Sequence, residues 1–520
     1  MFRRFWPLLL VSAITLLATL AGFQWAINRT DAFCYALDDS FIMMALAKNL
    51  AFHGVWGLTP HSFSSTASSP LFAVLLAGFN LVLGPAIWVP LLINLLSLAG
   101  LYGFVYYLCC RWGFLPWQCF IALLGIFLFM PIPVLLFGSM EHILHTVIAL
   151  FCLVLVLEFE SNAPHWLFLL SGLLLTSIRY EGLFEGGLLV LWLWRQKKLL
   201  KGLVFGMGMM IPVCILGFYS LAQGWLFFPN SLVLKAYGMN ILETGSIPGF
   251  LHSWLSKAVM YPHCMVAIFS LFLVRNTPGI KKDQNRDWVE IMLMASIAHF
   301  MFSRYGHVFR YEAYLMGLSW IVVCKVLVQS GIFNAISIRQ RMAEKDIMLI
   351  LFVPLLLFTP LARSVKSYFD GRMAIVNIYE QQVQTALFVR QYYDDAVVAA
   401  IDVGAIAYYS NCRLQDLWGL GNMNFAQLKL QNRYRSAEID SVCRKLSVEI
   451  ALTYGYPIRN HGWKKAESWA IQDNRVCARD TVDFFALNLE SCQKLRRHLN
   501  QFRSRLPEKV IVIHSSDPQN

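Results

Sequence analysis

The chain has 520 residues, of which 57% are hydrophobic and 14% are charged, and long uncharged runs recur from residue 5 to about residue 362. This composition excludes a single soluble core and predicts a polytopic membrane protein, whose spans are helices because lipid offers no partners for free backbone groups. The net charge of +12 divides into +7 before residue 363 and +5 from residue 363 onward, and neither part contains a dense basic tract. We therefore predict that the partner is a lipid bilayer and not a nucleic acid.

The first apolar run, residues 5–27, follows Arg3 and Arg4 and is longer than the core of a signal peptide. No small-residue cleavage site precedes Asn28, so we expect a retained span that leaves the N-terminus in the cytoplasm. Residues 28–69 then form an outer loop. This loop carries two adjacent carboxylates, Asp38 and Asp39.

Asp38 and Asp39 begin a predicted helix, because apolar residues recur at helical spacing after them and Gly54 can end it. Two neighbouring acids at a hydrophobic boundary suit a general base, since desolvation and like charge raise one pKa toward working pH. Two alternatives stay open. The pair can bind a divalent metal or position a donor, or the acids can simply favour the helix N-terminus.

Residues 70–136 contain three apolar runs. Asp39 and Glu141 share a side of the membrane only if an even number of crossings separates them. We therefore expect residues 71–83 to be re-entrant or joined to the next run. About 11 transmembrane helices result, and residues 1–362 form the membrane domain.

From Glu141 onward, alternating spans place a set of charged residues on the same outer face as the acid pair. Its members are Glu141, Arg179, Glu181, Lys235, Arg304 and Arg310. An acid at the end of a span is usually functional, and outer cations can bind an anionic phosphate. The alternatives are that Arg179 and Glu181 neutralise each other and that the cations lie at the interface as ordinary snorkelling side chains.

Residues 363–520 change character, with mixed charge and short apolar runs at 397–401, 448–452, 483–487 and 510–513. These runs predict buried strands among helices, and 158 residues can bury a core. We expect a soluble α/β domain outside the membrane. Its four cysteines, Cys412, Cys443, Cys477 and Cys492, can form two disulfides in an oxidising compartment or remain buried thiols.

The chain has no Walker loop, no GxGxxG before a helix, no HExxH and no CxxC. Several short motifs instead resemble those of GT-C-fold glycosyltransferases. They are Asp38-Asp39-Ser-Phe-Ile, Ala47-Lys-Asn-Leu50, His53-Gly54, Ser68-Ser-Pro-Leu71, Gly138-Ser-Met-Glu141, Arg179-Tyr-Glu-Gly182, Pro229-Asn-Ser231 with Lys235, Ala400-Ile-Asp402-Val-Gly404-Ala and Asp416-Leu-Trp-Gly-Leu420. The nearest branch is the bacterial arabinofuranosyltransferase-like enzymes. Tyr180 departs from the pattern, since a proline is common there, and the loop after Gly57 is short.

The resemblance implies a polyprenyl-phosphate sugar donor, a glycan or lipid acceptor and transfer with inversion at the periplasmic side of a bacterial inner membrane. It also implies that Asp38 is the catalytic base and Asp39 its helper. We expect Lys235, Arg304 or Arg310 to bind the donor phosphate, and Glu141, Arg179 and Glu181 to belong to the same donor and substrate site. No cofactor is required, although a divalent metal stays open. The competing hypotheses are a lipid or sugar transporter or flippase, and a glycan-binding envelope assembly protein.

Overall fold

The protein is described by a computed structural model covering residues 2–237, 247–276, 284–303, 305–306, 308–330, 347–455 and 462–514. The chain divides into two compact units, each assembled from three segments. The first unit contains Met1–Gly22, Leu91–Cys214 and Ile241–Phe369. The second contains Phe23–Pro90, Ile215–Asn240 and Asp370–Asn520.

Helices dominate the chain up to residue 378. In chain order they are α1 (Phe2–Thr30), α2 (Asp38–His53), α3 (Pro70–Leu83), α4 (Val89–Arg111), α5 (Pro116–Phe129), α6 (Ile132–Gly138), α7 (His142–Glu158), α8 (His165–Ile178), α9 (Gly182–Arg195), α10 (Leu199–Ala222), α11 (Asn230–Tyr237), α12 (Ile247–Met260), α13 (Pro262–Arg275), α14 (Gln284–Phe302), α15 (Ala313–Gln329) and α16 (Ile347–Ile378). The predicted domain boundary at residue 362 falls inside α16.

Three helices of the described chain are long and apolar enough to cross a membrane: Arg4–Thr30, Val89–Arg111 and Leu199–Ala222. Two bent pairs raise the number to five if each pair is one span. They are Pro116–Phe129 with Ile132–Gly138, at 47°, and Trp254–Met260 with Pro262–Arg275, at 98°. The other apolar helices are shorter, so the total of about 11 crossings stays a prediction.

Close helix packing holds the first unit together. Gly125 of α5 leaves room for the Trp320 indole of α15, which a Cβ at this position would overlap. Trp320 Nε1 donates to Ala122 O at 3.0 Å, and its ring stacks on Phe129 with 4.8 Å between centroids. This contact fixes α15, whose first turn follows Glu312.

The second unit contains one six-stranded sheet. Its strands are β1 (Val397–Ala400), β2 (Arg413–Asp416), β3 (Ile450–Thr453), β4 (Lys464–Ala470), β5 (Thr481–Ala486) and β6 (Ile511–His514), and its helices after α16 are α17 (Gln384–Tyr392), α18 (Gly404–Tyr409), α19 (Met423–Leu430), α20 (Ser436–Lys445) and α21 (Leu489–Phe502). The order is β2-β1-β3-β5-β4-β6. β1 pairs in parallel with β2 and β3, and the remaining pairs are antiparallel.

Strands form at all four predicted positions, with ends shifted by up to two residues. The prediction that they are buried is wrong for β6, because β6 lies at the edge of the sheet with Ile511 and Ile513 exposed. The helix predicted after the acid pair is also confirmed, and Gly54 ends it with φ 66°. Ser69 lies at the N-cap of α3 with Pro70 first in the helix, but its hydroxyl makes no capping bond. Cys412, Cys443, Cys477 and Cys492 are all unpaired thiols, so the disulfide alternative is not what the structure shows.

Candidate active site

The Asp38 carboxylate is held by the start of another helix of its own unit. Gly404 N donates to Asp38 Oδ2 at 2.7 Å, and Ala405 N donates to Asp38 Oδ1 at 2.8 Å. These amides belong to the first turn of α18 and have no partner within that helix. Because each carboxylate oxygen carries two lone pairs, Asp38 can still accept a proton.

Gly404 makes this approach possible. A Cβ at residue 404 would overlap the main-chain oxygen and the carboxyl group of Asp38. Any larger residue would therefore push α18 away from the first turn of α2. The two hydrogen bonds from the Gly404 and Ala405 amides to Asp38 therefore require glycine at residue 404.

Asp402 lies at the same point of the sheet. It follows β1, and Tyr454 follows β3, which runs parallel to β1. The carboxyl ends of parallel strands meet at one edge, so the two side chains come together. Tyr454 OH donates a close hydrogen bond to Asp402 Oδ2, and Gln382 Nε2 donates to the same oxygen at 2.8 Å.

A small cavity of about 20 Å³ adjoins this cluster. Its lining combines the polar residues Gln381, Gln382, Thr385, Asp402 and Tyr454 with the apolar residues Ile406, Leu452 and Val482. That volume is about what one water molecule requires. The cavity therefore places the Asp402 carboxylate and its hydrogen-bonding neighbours around space for one water molecule.

The electrostatics of the three acids disfavour the ionised form of Asp38. Burial, followed by the charge of Asp402, raises the pKa of Asp38 to about 8, while the two backbone amides oppose the rise. Burial also raises the pKa of Asp402, against the hydrogen bonds from Tyr454 and Gln382. Asp39 adds a further negative charge that raises both pKa values.

A second cluster in this unit joins two of the sequence motifs to the predicted outer loop. Asn230 N donates to Ser65 O at 2.8 Å, and Asn230 Nδ2 donates to Gly419 O at 2.9 Å. Asp416, the last residue of β2, accepts hydrogen bonds from the amides of its own loop, including that of Gly421 at 2.7 Å. These contacts support the loop and do not expose Asp416, which is 1% exposed.

Three predicted site residues form one ion network in the first unit. Arg179 Nη2 lies 2.5 Å from Glu181 Oε1, and Arg179 Nη1 pairs with Glu141. Arg179 and Glu141 are buried. The neutralisation of Arg179 by Glu181 that the sequence allowed is therefore observed, and Glu141 joins it.

The predicted phosphate-binding cations are described unequally. Arg310 is 2% exposed, and its guanidinium lies over the Tyr311 ring at 5.0 Å. Lys235 lies on α11, but its side chain is outside the described residues, as is all of Arg304. Their part in donor binding stays a prediction.

The divalent-metal alternative gains no support from the donor set. In the described segments, no three His, Cys, Asp or Glu side chains are arranged to hold a metal ion.

Sequence reasoning quoted Asp402 within a motif but did not assign it to the site, and it missed Tyr454 and Gln382. Asp402 directly follows a predicted strand, which is the one signal that could have identified it. Tyr454 and Gln382 lie 52 and 20 positions from Asp402, and only strand pairing and helix packing bring them together.

Comparisons with known proteins show which known fold this chain resembles. No curated protein matches the sequence. A family model described as "Domain of unknown function (DUF8728)" matches residues 376–485, the stretch that contains Gln382, Asp402 and Tyr454. The crystal structure of ArnT from Cupriavidus metallidurans bound to undecaprenyl phosphate is similar, with a TM-score of 0.50 and 12% identity over 93% of this chain and 98% of that chain.

At 12% identity this likeness shows the fold alone. The chain has the fold of ArnT along nearly its whole length. The GT-C class and the arabinofuranosyltransferase-like branch within it stay predictions.

Proposed function

We propose that the protein is a GT-C-type membrane glycosyltransferase that moves a sugar from a polyprenyl-phosphate donor to a hydroxyl of a cell-envelope glycan or lipid. The observation that carries this proposal is the nearly full-length fold likeness to ArnT, whose structure contains undecaprenyl phosphate. Fold alone does not define chemistry, so the site must supply the reaction. The acid cluster around Asp38 suits that reaction.

In the proposed reaction, Asp38 removes the proton from the acceptor hydroxyl. The hydroxyl oxygen attacks the anomeric carbon of the sugar, and the bond from that carbon to the phosphate oxygen breaks. The electron pair leaves with the polyprenyl phosphate. Because the hydroxyl attacks from the face opposite to the leaving group, the configuration at the anomeric carbon inverts. The activated donor supplies the energy, and a phosphate leaving group held by cations needs little acid assistance.

Donor binding is the second part of the proposal. The phosphate is bound by Lys235, Arg304 or Arg310, because guanidinium and ammonium groups favour phosphate oxygens. The ion network of Glu141, Arg179 and Glu181 completes the donor site. We place this site at the periplasmic side of a bacterial inner membrane, from the distribution of Lys and Arg along the chain.

The test is a transfer assay with the purified full-length protein. Undecaprenyl-phosphate sugars are incubated with envelope glycans and lipids extracted from cells that lack the protein. We expect release of undecaprenyl phosphate and a product of inverted configuration, with kcat/KM rising with pH through about 8 as Asp38 loses its proton. A flippase or a glycan-binding protein would release no free lipid phosphate.

The Asp38→Asn variant tests the base directly. General-base assistance is typically worth about 10²- to 10⁴-fold, so this variant should lose most of its turnover. Asp394→Asn is the matched control. Asp394 is a partly exposed acid of the same unit, and the hydrogen bonds described for its carboxylate both come from Asn411. Near-full transfer by folded Asp38→Asn would remove Asp38 from the catalytic role.

A further inference from the structure

The crevice at the carboxyl ends of β1 and β3 is where open α/β sheets usually bind ligands. In the order β2-β1-β3, the chain leaves β1 toward β2 and later returns to β3 on the other side, so a topological switch point lies between β1 and β3. Asp402 and Tyr454 follow these two strands. The Asp38 carboxylate meets the same turn through Gly404 and Ala405.

This turn is anchored from two further elements. Gln382 comes from the π-helical turn Tyr379–Val383 that joins α16 to α17, and Tyr454 comes from the end of β3. Both donate to Asp402 Oδ2. Asp402 is thus the residue through which two separate elements fix the turn that grips Asp38.

We propose that Asp402 is a positioning residue for the Asp38 carboxylate: held by Tyr454 and Gln382, it fixes the turn that donates the Gly404 and Ala405 amides. The negative charge of Asp402 also acts on Asp38 and disfavours its ionised form. This inference rests on the proposed function, in which Asp38 is the base. It assigns part of the proposed active site to residues 376–485, the stretch matched by the family model of unknown function.

The charged and titratable groups facing Asp38 come from several elements. Asp39 lies on α2 and Asp402 on the turn before α18. Tyr454 follows β3, Cys477 precedes β5 and Cys34 precedes α2, and each interacts with the Asp38 charge. The two carboxyl neighbours both disfavour the ionised form of Asp38, whereas the two amides favour it.

The sign of the effect follows from these neighbours. Replacing Asp402 with the isosteric Asn removes a negative charge, so Asp38 should deprotonate at lower pH and become a weaker base. Tyr454→Phe removes the hydrogen bond that stabilises the ionised Asp402. Asp402 then holds a proton more readily, and Asp38 should shift in the same direction.

Infrared spectroscopy measures this shift without any turnover. The full-length protein in detergent is titrated, and the intensity of its protonated-carboxyl band is recorded at each pH. Subtracting the band of the matching protein that also carries Asp38→Asn leaves the contribution of Asp38. We expect its midpoint to fall by on the order of one pH unit in Asp402→Asn and to fall in Tyr454→Phe. Tyr454→Phe acts through Asp402. The Asp38 midpoint of the double variant Asp402→Asn/Tyr454→Phe should therefore fall no further than that of Asp402→Asn alone.

The acid limb of kcat/KM for lipid-phosphate release should move by the same amount in the same variants. Tyr434→Phe is the control for loss of a tyrosine hydroxyl, since Tyr434 OH donates to Leu417 O in the same unit. Melting curves establish that each variant is folded. If Asp402→Asn does not fold, the Tyr454→Phe shift decides the test.

Loss of activity with an unchanged Asp38 midpoint would overturn the proposal, because a merely structural role predicts that pattern. An unchanged midpoint with unchanged activity would overturn it as well. If Asp38→Asn retains full transfer, the proposed base fails, yet the infrared shift still measures whether Asp402 controls Asp38. The two failures are therefore distinguishable.

Discussion

Arg179 is the residue for which binding and scaffold roles diverge most clearly. Its guanidinium pairs with Glu141 and Glu181, and removing one partner of a buried ion pair typically costs about 3–5 kcal/mol. We expect Arg179→Gln to lower the melting temperature by several degrees, as measured by thermal denaturation in detergent. Arg195→Gln is the control, since the Arg195 side chain is 72% exposed and lies 4.0 Å from Glu290.

An unchanged melting temperature with weakened donor binding would show that Arg179 acts mainly on the donor phosphate.

For single residues, the sequence identifies a role when that role depends on neighbours close in the chain. Asp38 and Asp39 start a helix that Gly54 ends, and each of these features lies within about 16 positions. Asp402 needed Tyr454, and no local pattern reports that pairing.

The short helix α18 is the element on which the site depends. Its amides grip Asp38 only because residue 404 lacks a side chain. We expect Gly404→Ala to reduce lipid-phosphate release by at least about 10²-fold, because even a small misplacement of a catalytic group can cost that much. The transfer assay on folded protein measures this loss.

Gly78→Ala is the matched control for that substitution. Gly78 lies on α3 in the same unit, and a Cβ there meets nothing within 4 Å. Alanine also favours a helix over glycine, so this variant should be as active and at least as stable as wild type. Equal activity in both variants would contradict the requirement for close approach at residue 404.

Strands were predictable where their side chains form an apolar run, and otherwise not. The four apolar runs after residue 396 became β1, β3, β5 and β6. β2 and β4 were missed because neither forms an apolar run: β2 is Arg-Leu-Gln-Asp with Arg413 exposed, and β4 contains buried polar residues. In β4, Glu467 accepts from Arg503 at 2.8 Å and Ser468 donates to Asp483 at 2.7 Å. Only the folded partners make such a strand suitable for a core.

For the whole molecule, linear order and compact units do not coincide. The sequence predicts a membrane domain to residue 362 and a separate α/β domain after it, from a change in composition. The second unit also contains Phe23–Pro90 and Ile215–Asn240, and α16 continues past residue 362. Composition reports which segments are apolar, whereas contacts between distant segments determine which of them fold together. The acid pair and the sheet therefore share a unit although more than 350 positions separate Asp38 from Gly404.

Membrane orientation is the property of the whole molecule that the proposed function needs. Lys and Arg are enriched in cytoplasmic loops, and the turn between α9 and α10 carries Arg195, Lys197 and Lys198. We expect alkaline phosphatase to be active when fused after residue 61 or after residue 520 and inactive when fused after residue 198. Green fluorescent protein at the same three positions should give the opposite pattern, because it does not fluoresce when exported unfolded. Active phosphatase at residue 198 with inactive fusions at residues 61 and 520 would place Asp38 and the sheet in the cytoplasm. Opposite results at residues 61 and 520 would separate Asp38 from Gly404 across the membrane, which their hydrogen bond forbids.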